Sequence, residues 1–536
     1  MKTRQHSGFN PYVSERWLIL MLIAAAVLVG ISGMKRLPMD NHEALVVQTA
    51  REMQSRDDWI LPWFNGEPRL NKPPLSYWLT GIAANIFQEG DLYRAWHGRL
   101  VSLLAGLGLV VCTLISGHLL FNNRVALQSS FILITTSGWF TYTHDARPDI
   151  LYAFMCTLGM TGFLVALVSA SEVQRRVAGV VAWSGMALAV LAKGPHMPLA
   201  YLGGTLLWAL SLHLPLADIN HRLKPLTGMF IVVLLAGPWW LLVNQHADIR
   251  GLENTQLSGS LLTMHPRNLL DLYYFYRPLI LFLPWVLLLP FTLIRIKYNG
   301  LDSGIKFALI MIILPALMLE TGPQKRWYYL LPSIMPMCLL LGAGMEELQE
   351  MIRGRKIPAF AVIAGALAIA LGTILYHSPG VYITPAGQIF REMTVLFLLG
   401  LAFLSITGFQ LAVESVFPVI FLIYFVTYLY LGNTLSGWST DRFEREILAE
   451  KILSVQEPQS RIMTMGIEPG VYTFYTGTKI KPVRTPAEIE SIRQNHSVVL
   501  LVNPGLLDTL PEDFRIIGTV QSSGKTTDVA VYAPHL

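Results

Sequence analysis

Carboxylates and cations gather at five places in this sequence, each beside the end of an apolar run. The first, residues 35–98, carries His42, Glu43, Arg51, Glu52, Arg69 and Lys72. The second reads Thr143-His144-Asp145-Ala146-Arg147-Pro148-Asp149. The third is Lys193-Gly194-Pro195-His196, and the fourth, 244–272, holds His246, Asp248, Arg250, Glu253, His265 and Arg267. The fifth is Lys325-Arg326-Trp327-Tyr328-Tyr329. A carboxylate can take a proton from a hydroxyl nucleophile. A cation can stabilise a phosphate leaving group as its charge develops. Arginine forks suit phosphate, and lysine supplies a compact charge. Trp59, Trp63, Tyr77, Trp78, Trp327, Tyr328 and Tyr329 can stack on a sugar or headgroup, or simply form the interfacial belt. Plainer roles stay open too. Lys72 and Lys193 can be interface anchors, and Asp145 and Asp149 can cap the helix that starts near Pro148.

Membrane spans must hold these groups. Of 536 residues, 53% are hydrophobic and only 14% charged, and mean hydropathy is +0.47. An average soluble domain is about 25% charged. A cytosolic enzyme, a disordered chain and a disulfide scaffold are excluded. Cys112, Cys156 and Cys338 lie inside apolar runs and read as core packing. The net charge of +5 resides mostly in loops and implies no nucleic-acid partner. About thirteen spans are expected, near 17–34, 99–121, 124–142, 149–170, 177–192, 196–213, 226–243, 273–294, 304–320, 327–344, 359–376, 391–409 and 411–432. The first is read as a retained span, not a signal peptide. Arg124, Arg175, Arg176, Arg222, Lys224, Arg295, Lys297, Arg353, Arg355 and Lys356 then fall in inner loops, which puts the N-terminus in the cytoplasm. The five reactive loops and the C-terminal segment fall outside.

The expected fold class is therefore an all-α polytopic membrane protein with a small C-terminal α/β domain. Residues 1–435 form the membrane domain, and 436–536 form the external one, with strand-like runs at 461–465, 497–502 and 528–533. In the long external loop 35–98, residues 42–54 have helical spacing and read as an amphipathic helix on the membrane surface. Residues 75–87 read as a second interfacial helix, and Asn65-Gly66-Glu67-Pro68 as a turn. Glu43 shares a helical face with Val47 and Ala50, which would hold it toward the spans; His42 points about 100° away. Glu43 ranks first as acid/base or acceptor-orienting residue, Asp149 second and His42 third.

The stretches Glu43 to Met53, Asp58 to Gly66 and Asn71-Lys72-Pro73-Pro74-Leu75-Ser76-Tyr77-Trp78 resemble external loop one of the bacterial aminoarabinose transferase-like proteins. These are relatives of the protein O-mannosyltransferases. Ala146-Arg147-Pro148-Asp149, Leu191-Ala192-Lys193-Gly194-Pro195, Pro284-Trp285 and Lys325 to Pro332 agree in order. The resemblance implies a C-type glycosyltransferase fold in a bacterial inner membrane. It implies inverting transfer from a polyprenyl-phosphate sugar to a lipid, glycan or protein acceptor at the outer face. It places Lys72 at the lipid phosphate, Asp149 at a second acidic position and Lys193 at a basic one. Lys325, Arg326 and Tyr328 match the cluster near the donor phosphate, and Asp145 and Tyr77 join the substrate-binding set. The family's loop-one helix usually begins Asp-Glu; an ungapped alignment puts His42 at that aspartate, and Asn71 replaces an acidic residue often found before the lysine. His42, Glu43 or Asp40 then takes the role, or activity is altered or lost.

No cofactor is required by this chemistry. A divalent metal stays open, although His265 and Glu253 lack tight ligand spacing. A multi-span transporter or flippase of a lipid-linked sugar is the rival from another class. It would ordinarily show internal repeats and broken helices at mid-membrane, and neither is evident here.

Overall fold

The computed structural model describes residues 15–35, 37–87, 93–245, 271–282, 285–322, 325–353, 440–457, 460–522 and 525–533. The spans expected at 359–376, 391–409 and 411–432 lie outside these residues. So does most of the fourth reactive loop, including His265 and Glu253. Among the described residues six helices are long and apolar enough to cross a membrane, or seven if the bent pair Tyr273–Phe282 and Trp285–Asn299 is one span. The shorter α1 (Glu15–Ile31) is also apolar.

After α1 the chain forms α2 (Asn41–Ser55), a short hairpin of β1 (Trp63–Phe64) and β2 (Glu67–Pro68), and α3 (Leu75–Ile86). The hairpin turns at Asn65 and Gly66, with φ of 56° and 74°. Two consecutive positive φ values favour Asn-Gly in a two-residue hairpin. Spans α4 (Ala95–Leu120), α7 (Pro148–Val168) and α8 (Glu172–Lys193) follow, with α5 (Asn123–Ile134) and α6 (Ser137–Thr143) between the first two, and α9 (His196–Ser211) after them. The expected continuous span 124–142 is thus two helices. Thr135 and Thr136 turn their hydroxyls onto the carbonyls of Phe131, Ile132 and Leu133. That competes with the helical ladder at the break, and Thr136 then caps α6 through the Trp139 amide. The run expected at 327–344 starts as a 3-10 turn, Trp327–Ser333, before the helix Ile334–Arg353.

After the helix Thr440–Val455, a five-stranded sheet forms in the order β4-β3-β5-β7-β6. Its strands are β3 (Arg461–Met465), β4 (Lys481–Pro482), β5 (Val498–Val502), β6 (Arg515–Ser522) and β7 (Lys525–Ala533). All five residues of β5 are buried, as a central strand covered on both faces requires.

The loop-one helix α2 does not lie open on a membrane surface. Met39, Ala44, Val47 and Ala146 pack with Leu448, Ala449, Ile452, Val471 and Tyr472 of the C-terminal region. Val46, Ala50 and Met53 pack instead with Tyr77 of α3. The helix is gripped on two sides. Asn65 also exchanges two hydrogen bonds with the backbone of Ile480, at 2.7 and 2.8 Å.

Candidate active site

The N-terminus of α2 is fixed by a reciprocal cap. Asp40 accepts from the Glu43 amide at 2.9 Å, and Glu43 accepts from the Asp40 amide at 3.2 Å. Beneath it lies Arg99 of α4, fully buried. Its Nε and Nη2 donate to the two oxygens of Glu43, each at 2.7 Å. Its other donors go to the carbonyls of Met34, Leu37 and Pro38. The Ala146 amide also donates to Glu43, at 3.0 Å. Gly98 lets α4 come this close: a Cβ there would stand 2.6 Å from the Ala146 Cβ.

This arrangement suits Glu43 to anchoring the start of α2 better than to the acid/base role expected of it. Both oxygens are saturated and the side chain is wholly enclosed. Removing one partner of such a pair costs about 3–5 kcal/mol, because the other charge stays buried. Glu43→Ala should accordingly lower the melting temperature of the purified protein sharply. A Glu43→Ala protein as stable as wild type would contradict this anchoring role. His42 is exposed and makes no hydrogen bond among the described residues; it lies at the edge of the cluster, within electrostatic reach of Asp40.

Asp145 sits in the short link between α6 and α7. Its backbone carbonyl accepts from Ser102 at 2.7 Å. Its Oδ2 accepts from Arg147 Nε at 2.6 Å. Its Oδ1 is buried without a hydrogen-bond partner among the described residues. Burial, with the Asp40 and Glu43 carboxylates beside it, pushes Asp145 up to about 8, against the pull of Arg147 and Arg442. Burial acts the same way on Asp40, but Arg442, the Glu43 amide and Arg147 outweigh it and hold that carboxyl below its ordinary value. Two neighbouring acids with opposed shifts are an arrangement that acid/base chemistry can use. Asp145 moves from a binding role to the acid/base candidate.

Asp149, in the first turn of α7, is ion-paired with Lys193 at the end of α8. Lys193 lies 4.6 Å from the Tyr329 ring centre and 5.6 Å from that of Tyr328. Arg147 lies 5.2 Å from the Tyr142 ring and 5.4 Å from that of Tyr328. The 3-10 turn Trp327–Ser333 thus lays its tyrosines over both cations. Lys72 is close enough to feel Lys193, Arg69 and Asp149. It has no hydrogen bond or ion pair among the described residues. Burial, then the two neighbouring cations, lower it to about 8. Tyr77 does not face the site: it is 1% exposed, and its hydroxyl accepts from Arg69 at 3.0 Å. It holds Arg69 in place. Lys325 donates to Glu320 at 2.6 Å and to Asp271 at 3.1 Å. Arg326 lies within electrostatic reach of Tyr328 and Tyr329.

Asp40, Glu43 and Asp145 each bring an oxygen within 4.8 Å of the others, as a metal site would. The donor set fits a divalent cation poorly. Glu43 is consumed by Arg99 and Asp40 by Arg442, so the negative charge is already met.

Arg99 was findable: like the five groups already singled out, it is a charge at the end of an apolar run. Arg442 was not, since nothing local to it points at residue 40.

Comparisons with known proteins bear out the resemblance read in the outer loops. The family of dolichyl-phosphate-mannose-protein mannosyltransferases matches residues 39–248. Undecaprenyl phosphate-alpha-4-amino-4-deoxy-L-arabinose arabinosyl transferase 2 of Pseudomonas fluorescens strain Pf0-1 is 24% identical over 394 residues, covering 68% of this chain and 65% of its own length. Transferase 1 of that strain is 25% identical over 436 residues, covering 76% of this chain and 71% of its own. The chain thus spans just under two thirds of the first relative's length. The crystal structure of apo ArnT from Cupriavidus metallidurans superposes with a TM-score of 0.76 at 18% identity, over 96% of this chain and 98% of that one. ArnT bound to undecaprenyl phosphate gives 0.68 at 19% identity, over 97% and 98%. The mainly helical architecture is therefore of the C type found in membrane glycosyltransferases.

Proposed function

We propose that this relative of the aminoarabinose transferases is a membrane glycosyltransferase. It moves a sugar from a polyprenyl-phosphate donor to a lipid, glycan or protein acceptor at the outer face of a bacterial inner membrane, with inversion. The full chain reads as about thirteen spans, with the N-terminus in the cytoplasm and the C-terminal α/β unit outside. One observation carries the reading. Among the described residues Lys72 makes no hydrogen bond or ion pair and lies beside Arg69 and Lys193, and Arg147 and Asp149 link that niche to an acid with one oxygen that has no hydrogen-bond partner there.

The donor phosphodiester would sit against Lys72, with Arg69 and Lys193 adding positive charge. Tyr328 and Tyr329 offer ring faces to the sugar. The acceptor oxygen attacks the anomeric carbon as the carbon–oxygen bond to phosphate breaks. If the acceptor is a hydroxyl, ionised Asp145 takes its proton. The cations take up charge developing on the leaving phosphate. Asp149 keeps Lys193 aimed.

Two experiments test this. Purified protein, given a panel of polyprenyl-phosphate pentoses and hexoses with membrane lipid acceptors, should release polyprenyl phosphate and glycosylate a product. Transport of an intact lipid-linked sugar across a vesicle, without cleavage, would refute the reading. For topology, cysteines replacing exposed Asn495 and Arg176 should report opposite sides, since the native cysteines are all buried. Asn495→Cys should label in intact cells and Arg176→Cys only after the membrane is opened. The reverse pattern would invert the topology.

A further inference from the structure

The three carboxylates Asp40, Glu43 and Asp145 face three guanidiniums, and these have different origins. Arg99 comes from α4, and Arg147 from the link before α7. Arg442 comes from the helix Thr440–Val455 that leads into the C-terminal sheet. Its Nη2 donates to Asp40 Oδ2 at 3.1 Å and its Nη1 approaches Glu43 Oε2 at 3.4 Å. Its side chain is 26% exposed and that of Asp40 21%, so this pair forms the open rim of the cluster.

We infer that the C-terminal unit is part of the active site, with Arg442 as the positioning residue that holds Asp40 and the start of α2 against Asp145. The inference rests on the function proposed above. Two features support it beyond the ion pair itself. The helix bearing Arg442 is seated through Leu448, Ala449 and Ile452 against Met39, Ala44, Val47 and Ala146. These residues lie within a few positions of the three carboxylates, or beside one of them. The same stretch is held again from the C-terminal side. The Met39 amide donates to the Tyr475 hydroxyl at 2.9 Å, and the Val471 amide to Asn41 Oδ1 at 3.1 Å.

The electrostatics give the reason for this arrangement. Arg442 gives Asp40 a guanidinium of its own where an Asp40 oxygen lies within 4.8 Å of oxygens of Glu43 and Asp145. Without it, Asp40 faces the Glu43 carboxylate with no guanidinium in contact among the described residues. Repulsion then falls on Asp40. It is the most exposed of the three and, among the described residues, keeps only the Glu43 amide as a hydrogen-bond partner, with Arg147 and His42 within electrostatic reach. The cap of α2 should loosen, and the carboxylate next to Asp145 should move.

The test uses the full-length protein with Arg442→Gln, Arg442→Lys and, as a control, Lys479→Ala. Lys479 makes an exposed ion pair with Glu67 at the same junction, away from the carboxylates. Hydrogen exchange of the amides at 40–47 is read first, because it needs no activity. Arg442→Gln should speed it, while exchange in the sheet strands and in Lys479→Ala stays as in wild type. Turnover is read second. Arg442→Gln should lower kcat roughly 10–100-fold, the scale of a catalytic group displaced by about an ångström. KM for the donor should stay within about twofold, since Lys72 is untouched. Arg442→Lys should recover part of kcat. Unchanged exchange at 40–47 in Arg442→Gln overturns the inference whatever the activity. Unchanged kcat overturns the catalytic half of it. Loss of protection throughout the sheet would reduce Arg442 to a docking residue, and that also overturns it. A wild-type protein that transfers no sugar, but whose exchange responds as expected, refutes the proposed function and leaves the positioning role standing.

Discussion

Asp145→Asn should abolish most turnover while leaving the protein folded and the donor bound. The change is nearly isosteric and keeps an acceptor for Arg147, but it removes the oxygen that has no hydrogen-bond partner among the described residues. General acid–base groups contribute about 10²–10⁴-fold, and a loss on that scale in kcat is expected for a hydroxyl acceptor. The pH profile gives a second reading. With Asp145 near 8, the base is protonated at neutral pH, so kcat should rise as pH climbs from 6 toward 8. Asp145→Asn should flatten that limb. Full turnover in Asp145→Asn would remove it from the chemistry, or show that the acceptor is itself an anion needing no base.

Lys72→Ala should cost about 10²–10³-fold in turnover, as for other preorganised groups that meet charge in the transition state. Part of the loss should appear in donor affinity, since the ammonium meets the ground-state phosphate as well. The donor's phosphodiester keeps one negative charge across the neutral range, so Lys72 sets the pH dependence of binding. Its ammonium is charged below about 8 and loses that charge above it. Donor affinity should therefore fall between pH 7 and pH 9, and Lys72→Arg should flatten the fall. Unchanged binding and turnover in Lys72→Ala would rule out a phosphate at this residue.

Much of this was visible in the chain itself, because membrane proteins place charge sparingly. Asp145, Asp149, Lys72, Lys193 and Tyr328 stand out as polar groups at the ends of apolar runs, and the structure brings them together or within electrostatic reach. Their division of labour was not visible. Helical phase correctly turned Glu43 inward, but phase cannot show that Arg99, more than fifty residues on, saturates both its oxygens. Tyr77 looked like a stacking ring beside Lys72, yet its face is spent on the core and its hydroxyl on Arg69. Lys325 and Arg326 are adjacent in sequence, but Lys325 is ion-paired with Glu320 and Asp271, which no local pattern around 325 reveals. The break at Thr135 and Thr136 was hidden by an apolar average that ignores hydroxyls bonding to the preceding turn. Asp40 shows the same limit. Aligned by number, His42 fills the usual aspartate position. In space, Asp40 reaches the cluster from the cap, two residues earlier.

A structure of the protein with polyprenyl phosphate bound tests the central claim most directly. The account predicts the phosphate at about hydrogen-bond distance, roughly 3 Å, from Lys72 Nζ, with Arg69 and Lys193 beside it and the lipid tail leaving toward the spans. A phosphate held instead by Lys325, or by the basic residues of the inner loops, with Lys72 unengaged, would contradict it.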